Sequence, residues 1–148
     1  MITIQQEKVE VWEKDCMPLV VEHWKELGLD LDLEIAPDFE SMKWLEKVGK
    51  WAVISVRDDG KLVGYLLAVI NTHLHYRTSP KMFIIDAYYI APQYRNGTGA
   101  RLIRFAEKFA RQVGAIKMYL TCKCHKDHSA LFLKMGYRLS DLAFTRRL

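Results

Sequence analysis

Three cysteines in 148 residues, Cys16, Cys122 and Cys124, are an odd number at spacings that build no disulfide framework. Their scarcity points to a reducing compartment, and the expected location is cytoplasmic. The first eleven residues, MITIQQEKVEV, carry neither a basic start nor an apolar run, so no signal peptide is expected in this stretch. Long hydrophobic runs are also missing. The longest, such as VGYLLAVI, is too short to span a bilayer, so no membrane partner is expected. Charge of one sign is in small excess, with a net value of +4 that favours phosphates or acidic partners without the density of a nucleic-acid-binding tail. With only four prolines and eight glycines, each can be read as punctuation.

Half of the residues are hydrophobic and 27% are charged, the balance of an ordinary globular chain of one domain, residues 1–148. Apolar side chains at Val9, Trp12, Cys16, Leu19, Val20, Trp24 and Leu27 have helical spacing, and Pro18 should break that helix in two. Gly28 closes it. Asp38 is placed to cap a second helix running to about Val48 and ended by Gly49. WAVISVR and KLVGYLLAVI then read as strands joined by the hairpin signal Asp58-Asp59-Gly60. KMFIIDAYYIA follows as a strand, residues 98–113 as a helix, IKMYLTCK as a strand and HKDHSALFLKMGY as a short helix. YRLSDLAFTRRL is expected to be a final strand or strand pair. The order α-α-β-β-β-α-β-α-β gives a mixed α/β sheet with helices on both faces.

The stretch IIDAYYIAPQYRNGTGARLIR stands out. A strand that passes through a glycine-bearing loop into a helix aims free backbone N–H groups and a positive dipole end at one spot, which suits a phosphate. Without a ligand the same residues are a plain strand-to-helix turn with glycine supplying positive φ. Asp86 lies mid-strand among apolar residues, on the face of Tyr88 and Ile90. A carboxylate there is either raised in pKa, and useful as a base, or paired with a buried cation and structural.

With its element order and three stretches, LVGYLLAVI at 62–70, YYIAPQYRNGTGARLIRFAE at 88–107 and ALFLKMGY at 130–137, the chain resembles the GNAT superfamily of N-acetyltransferases. The pieces LVGY, HLHYR and APQYRN with RLIRFAE are most similar to members carried by tailed bacteriophages and prophages. The resemblance implies an acyl-CoA N-acyltransferase fold, acetyl-CoA as cofactor and direct acetyl transfer to an amine acceptor. It implies that backbone groups of Tyr89, Ile90 and Ala91 pair with the pantetheine arm. The N–H groups of Arg95, Asn96, Gly97, Thr98, Gly99 and Ala100 would hold the pyrophosphate, with Arg101 reaching it and His125 beside the pantetheine. The family loop Arg/Gln-x-x-Gly-x-Gly/Ala does not fit cleanly. Aligning Gly97 and Gly99 puts Tyr94 in the basic position, which reads as a loop one residue short.

Asp86 would then be the general base, and a backbone N–H near Ile90 would hold the thioester oxygen. The tyrosine that usually protonates the leaving thiolate is replaced by Phe132. Ser129 and Tyr137 are the substitutes, Tyr137 doubling as a core residue. His73, His75 and Tyr76 are candidate acceptor-side residues, and equally a polar strand end. Two other readings compete. Cys122, Cys124, His125 and His128 lie within seven residues, but C-x-C on one strand face is poor zinc spacing, and no metal is expected. Arg101, Arg104, Lys108 and Arg111 form a basic helix stripe without interleaved aromatics, and no nucleic acid is expected. The alternative of another class is an acyl-CoA-binding interaction module with little catalysis. A homodimer is left open.

Overall fold

The computed structural model describes residues 1–148. Its element order is β1 (Ile2–Glu7), α1 (Val9–Trp12), α2 (Met17–Leu27), α3 (Phe39–Lys47), β2 (Trp51–Asp58), β3 (Lys61–Thr72), β4 (Lys81–Ile90), α4 (Thr98–Gln112), β5 (Ala115–Tyr119) and α5 (Ser129–Lys134). The five strands form one sheet in sequence order, antiparallel except for the parallel pair β4–β5. The fold is therefore the mixed α/β sheet that the sequence implied. No helix is long and apolar enough to cross a membrane.

Local chemistry sets the boundaries. Pro18 sits in the first turn of α2, where its missing N–H costs nothing, so the apolar stripe splits into α1 and α2. Gly28 ends α2 in the left-handed region. The Asp38 carboxylate accepts from Ser41 N–H at 3.0 Å and caps α3. Asp59 and Gly60 both have positive φ, as a tight two-residue hairpin turn requires.

Both faces of the sheet are covered. Ile54, Val56, Leu66, Phe83 and Ile85 pack against Leu102, Ala106 and Ala110 of α4. On the other face Val53, Tyr65, Leu67 and Tyr89 pack against Val9, Trp12, Leu19 and Val20. Trp12 is fully buried and meets Phe39 and Tyr65 edge-on, a contribution of about 2–3 kcal/mol from burial alone. Arg57, near the end of β2, binds Glu7 through Nε at 2.9 Å and Nη2 at 2.8 Å, and Asp15 through Nη1 at 2.7 Å. This cluster clamps β1 and the segment after α1 to the hairpin.

The structure corrects the sequence reading at both ends. Residues 2–7 are a strand, an edge partner of β2 whose two isoleucines alone face the α4 side. Residues 137–148 contain no strand. Leu139, Leu142 and Phe144 are exposed; their spacing of three and then two gives no single strand face. Arg147 bonds Asp32 through both guanidinium Nη atoms, at 3.0 and 2.7 Å.

Candidate active site

The parallel pair β4–β5 is joined only over its first residues, from Lys81 opposite Ala115 to Ile84 opposite Tyr119. Beyond that point the strands part. The opening holds a cavity of about 410 Å³ lined by β4 (Asp86 to Ile90), by α2 (His23, Glu26, Leu27), by α4 (Gly99, Leu102, Ile103), by the segment that runs from the end of β5 into α5, and by α5 itself.

The head of the opening is the loop before α4. The N–H groups of Asn96, Gly97, Thr98, Gly99 and Ala100 have no backbone acceptor, whereas Arg101 N–H donates to Gly97 O. Gly97 has φ of 76° and turns this row of donors to one side. A Cβ built at Gly99 meets no protein atom within 4 Å, and Gly99 does not have positive φ. The fold itself therefore makes no demand for glycine at 99, which is the situation expected where backbone N–H groups must be approached from outside.

Arg95 leaves the expected set. Its N–H donates to Pro92 O, and its side chain is committed elsewhere. Nε donates to Ile90 O at 2.9 Å, Nη2 to Glu26 at 2.6 Å, and the guanidinium lies over the Tyr89 ring. The Arg95 hydrogen bond holds the Glu26 carboxyl below its usual range. The backbone roles also divide. Ala91 N–H donates to Val63 O, so Ala91 and, two residues earlier, Tyr89 face β3. Tyr88 and Ile90 face the opening, and the Ile90 carbonyl already receives Arg95.

Asp86 is the extra residue of a β-bulge. Leu67 pairs with Ala87 and Ala68 with Ile85, leaving Asp86 unpaired. The bulge resets the strand's alternation: Phe83 and Ile85 before it, and Tyr88 and Ile90 after it, all pack toward α4. Asp86 lines the cavity, is exposed, and has no hydrogen-bond or ion-pair partner. Apolar walls push its pKa up.

The side of the cavity formed by α5 and the segment before it is an aromatic cluster. Phe132 is buried and packs edge-on against Tyr88, His128 and Tyr137. Tyr88 Oη lies 3.0 Å from His128 Nδ1 and donates to Thr121 O at 3.2 Å. Neither sequence candidate for the acid is among the cavity's lining residues. The Ser129 N–H bonds the Asp127 carboxylate, and Tyr137 Oη donates to Glu107 at 2.6 Å, fixing the α5 end to α4. His125 is also elsewhere: its Nε2 donates to Leu27 O at 2.7 Å, tying this segment to the end of α2.

His73 and His75 line a second cavity of about 350 Å³ with Asn71, Thr72, Leu74, Met82, Ile84 and Tyr119; Tyr76 stands behind, against the His73 ring. Ile84 on β4 and Tyr119 at the end of β5 are each two residues before a lining residue of the first cavity, Asp86 and Thr121, at most about 7 Å along the chain. The Asp86 bulge thus lies between the two cavities. His73 Nδ1 is shielded from solvent and has no protein partner.

Sequence reading missed His23. Its ring stacks on Tyr89, and Nδ1 lies 2.7 Å from the Tyr65 hydroxyl; burial pushes its pKa down to about 4, so it is neutral at physiological pH. The available signal was a polar residue three and four positions after Val20 and Leu19, inside an apolar stripe. Lys123 and Lys126, which add positive charge beside the opening, carried no signal.

No group of three or more His, Cys, Asp or Glu side chains is arranged to hold a metal ion. The side chains of Cys122, His125 and His128 turn to Asp127, Leu27 and Tyr88 respectively.

Solved structures share this architecture. A glucosamine-6-phosphate N-acetyltransferase from Arabidopsis thaliana superposes with a TM-score of 0.76 at 13% identity, over 99% of this chain and 98% of that one. An aminoglycoside acetyltransferase, HMB0005, from an uncultured soil metagenomic sample gives 0.78 at 17% identity, over 100% and 99%. AAC(6')-Iy, solved with the bisubstrate analogue CoA-S-monomethyl-acetylneamine, gives 0.70 at 17%, over 100% and 98%. At these identities the likeness speaks for the fold alone. Among curated proteins, none matches the sequence significantly. The family model for acetyltransferases (GNAT) matches residues 7–137, nearly the whole chain. The chain therefore belongs to the GNAT acetyltransferase family, and is an acyl-CoA-dependent N-acetyltransferase.

Proposed function

We propose that the protein transfers an acetyl group from acetyl-CoA directly to an amine acceptor, residues 1–148 acting as one domain. The observation that carries this is the row of unpartnered N–H groups from Asn96 to Ala100 at the head of the opening between β4 and β5. When bound, acetyl-CoA supplies an acetyl thioester, already activated toward attack by an amine. The Asn96–Ala100 donors at the α4 N-terminus hold its pyrophosphate, and Arg101, Lys123 and Lys126 add to the positive potential. The Ile90 N–H, facing the opening, is the donor for the thioester oxygen.

Asp86 takes the proton. An ammonium with a pKa of about 10.4 must lose one before its nitrogen can attack. Placed between the two cavities with no partner of its own, Asp86 is free to accept it, directly or through water. The acceptor enters by the smaller cavity, past His73 and His75, which have room for a polar amine. The resemblance of LVGY and HLHYR to phage-borne members of the family points to a phage or prophage origin.

Isothermal calorimetry with acetyl-CoA, followed by thiol release against a panel of amines, tests this. The expected outcome is stoichiometric binding and turnover on at least one amine. Absence of binding overturns the donor assignment, and binding without turnover on any amine returns the chain to a CoA-binding module.

A further inference from the structure

The position from which a hydroxyl would be expected to protonate the departing thiolate is occupied by Phe132, which has no proton to give. Phe132 nonetheless lines the cavity, and its ring packs against a phenol that does have one. That phenol is Tyr88, two residues beyond Asp86 on the same strand.

Oη of Tyr88 has one hydrogen and two neighbours, Thr121 O at 3.2 Å and His128 Nδ1 at 3.0 Å. A carbonyl can only accept. When His128 carries a hydrogen on Nδ1, a relay is complete: Nδ1–H donates to Oη, and Oη–H donates onward. At 3.2 Å the Thr121 bond is at the long end for O–H···O, so the phenol proton is only loosely committed. The imidazole is exposed at the N-terminal end of α5 and exchanges protons with water. The hydroxyl is reached from the cavity where β4 and β5 have parted, the place the donor's arm takes in the reading above. We propose that Tyr88, held and recharged by His128, is the general acid that protonates the leaving thiolate, replacing the hydroxyl absent at Phe132.

This inference rests on the acetyl-CoA reading and adds a residue to it. Asp86 first takes one proton from the acceptor ammonium and passes it to solvent; the freed lone pair then forms the C–N bond, and the nitrogen's second proton leaves to the same carboxylate as the amide forms. Tyr88 gives its phenolic proton to the sulfur, which leaves with the electron pair of the broken C–S bond. His128 returns a proton from Nδ1 to Oη and is itself recharged from solvent. Charge and atoms balance, with one net proton released for each ammonium consumed. Burial raises the Tyr88 pKa, which keeps the phenol protonated and ready at neutral pH. The titratable groups around it are His128, Cys122 on the segment after β5, Asp86 along β4, and Asp127 behind Cys122; Lys123 and Lys126 line the same cavity. His128 is the positioning residue. Tyr88 touches the reacting atom.

The test needs no acceptor. A hydroxyl that donates to a thiolate lowers the pKa of the bound thiol, and a hydrogen bond to a charged partner is worth about one to two pKa units. The thiol of CoA bound to the wild-type protein is titrated by its far-ultraviolet thiolate absorbance, with desulfo-CoA complexes subtracted. Expected is a bound thiol pKa about one to two units below that of free CoA. In Tyr88→Phe that depression should vanish while desulfo-CoA affinity stays within about twofold. His128→Ala should shrink it, and His128→Gln, whose amide can still donate to Oη, should restore it. A wild-type complex with an undepressed thiol pKa overturns the proposal by itself, whether or not Tyr88→Phe folds. So does a depression that survives in Tyr88→Phe, or one that is undiminished in His128→Ala. Failure of the wild type to bind CoA at all is a different result, and it removes the donor assignment instead.

Discussion

Gly99→Glu puts a carboxylate at the second position of α4, directly in front of the free N–H groups. Nothing in the fold resists the change: a Cβ there meets no protein atom within 4 Å, and φ is not positive. The helix itself should gain. Glutamate is a better helix former than glycine by about 0.5 kcal/mol, and a negative charge in the first turn adds about 0.3–1 kcal/mol. Against a bound pyrophosphate the same charge repels. At about 6 Å and an effective dielectric of about 40, Coulomb's law gives about 1.4 kcal/mol for each pair of unit charges. With about two phosphate charges, and with salt removing up to half, the loss is about 1.5–3 kcal/mol. That is about a 10- to 150-fold weaker Kd for CoA. The assay is calorimetric titration with CoA beside urea denaturation of the same sample, with Gly99→Gln separating bulk from charge. The predicted signature is opposite movement: equal or greater stability with much weaker binding. A Kd within about threefold of wild type would refute the placement of the pyrophosphate at this loop.

Asp86→Asn should cut turnover by about 10²-fold or more while sparing CoA affinity, read from kcat and calorimetry. Because the folded-state pKa of Asp86 is raised, its ionisation lowers stability as pH climbs from the unfolded value through the folded one. Asp86→Asn should therefore be no less stable than wild type at neutral pH, and a melt showing a clear loss would mean the carboxylate is structural. Arg57→Met strands the buried Glu7 and should cost about 3–5 kcal/mol in urea denaturation. Burial pushes the Glu7 pKa up, but the Arg57 bonds outweigh it and leave it low. The stabilisation is thus present above the unfolded carboxylate pKa and disappears as pH falls through the folded one, so the two proteins should converge in acid. Gly64→Ala drives a Cβ to 2.8 Å from Tyr89 O and 3.0 Å from an Ile90 side-chain carbon. The expected outcome is a loss of about 1–3 kcal/mol with weaker CoA binding, because β4 must shift where it borders the cavity. Unchanged affinity would show that the shift does not reach the opening.

Features governed by nearest neighbours were legible in the chain. Pro18, Asp38, Asp59-Gly60 and Gly97 each dictate a local backbone state, and the elements begin or end where they stand. The near-continuous apolar runs marked β2, β3 and β4 because both faces of those strands are covered. ITIQQE was not legible, since an edge strand with two inward isoleucines lacks the length of pattern that separates strand from coil. The tail misled in the opposite sense, its apolar residues being frequent but out of phase. At the site, backbone donors followed from the loop's composition, whereas side-chain partnerships did not. Nothing in the sequence ties Arg95 to Glu26, 69 positions away, or His128 to Tyr88, 40 positions away. The bulge at Asp86 is invisible for another reason: one extra residue leaves the hydropathy pattern plausible in either register.

The parting of β4 from β5 after Ile84 and Tyr119 bears on kinetics as well as on shape. Parallel strands that stay paired to their ends would have to exchange ladder hydrogen bonds for those of an incoming arm, a rearrangement with its own barrier. Here the exchange is settled when the chain folds, and the edge groups of Tyr88 and the N–H of Ile90 already face the opening, the Ile90 carbonyl being held by Arg95. A donor meets a slot of fixed width, so capture should proceed at the rate of an oriented collision, with the free and loaded backbones nearly superimposable. Release follows the same unobstructed path. Residence time then depends on how firmly the phosphate end is gripped, so the loop before α4 acts as the clutch of the machine.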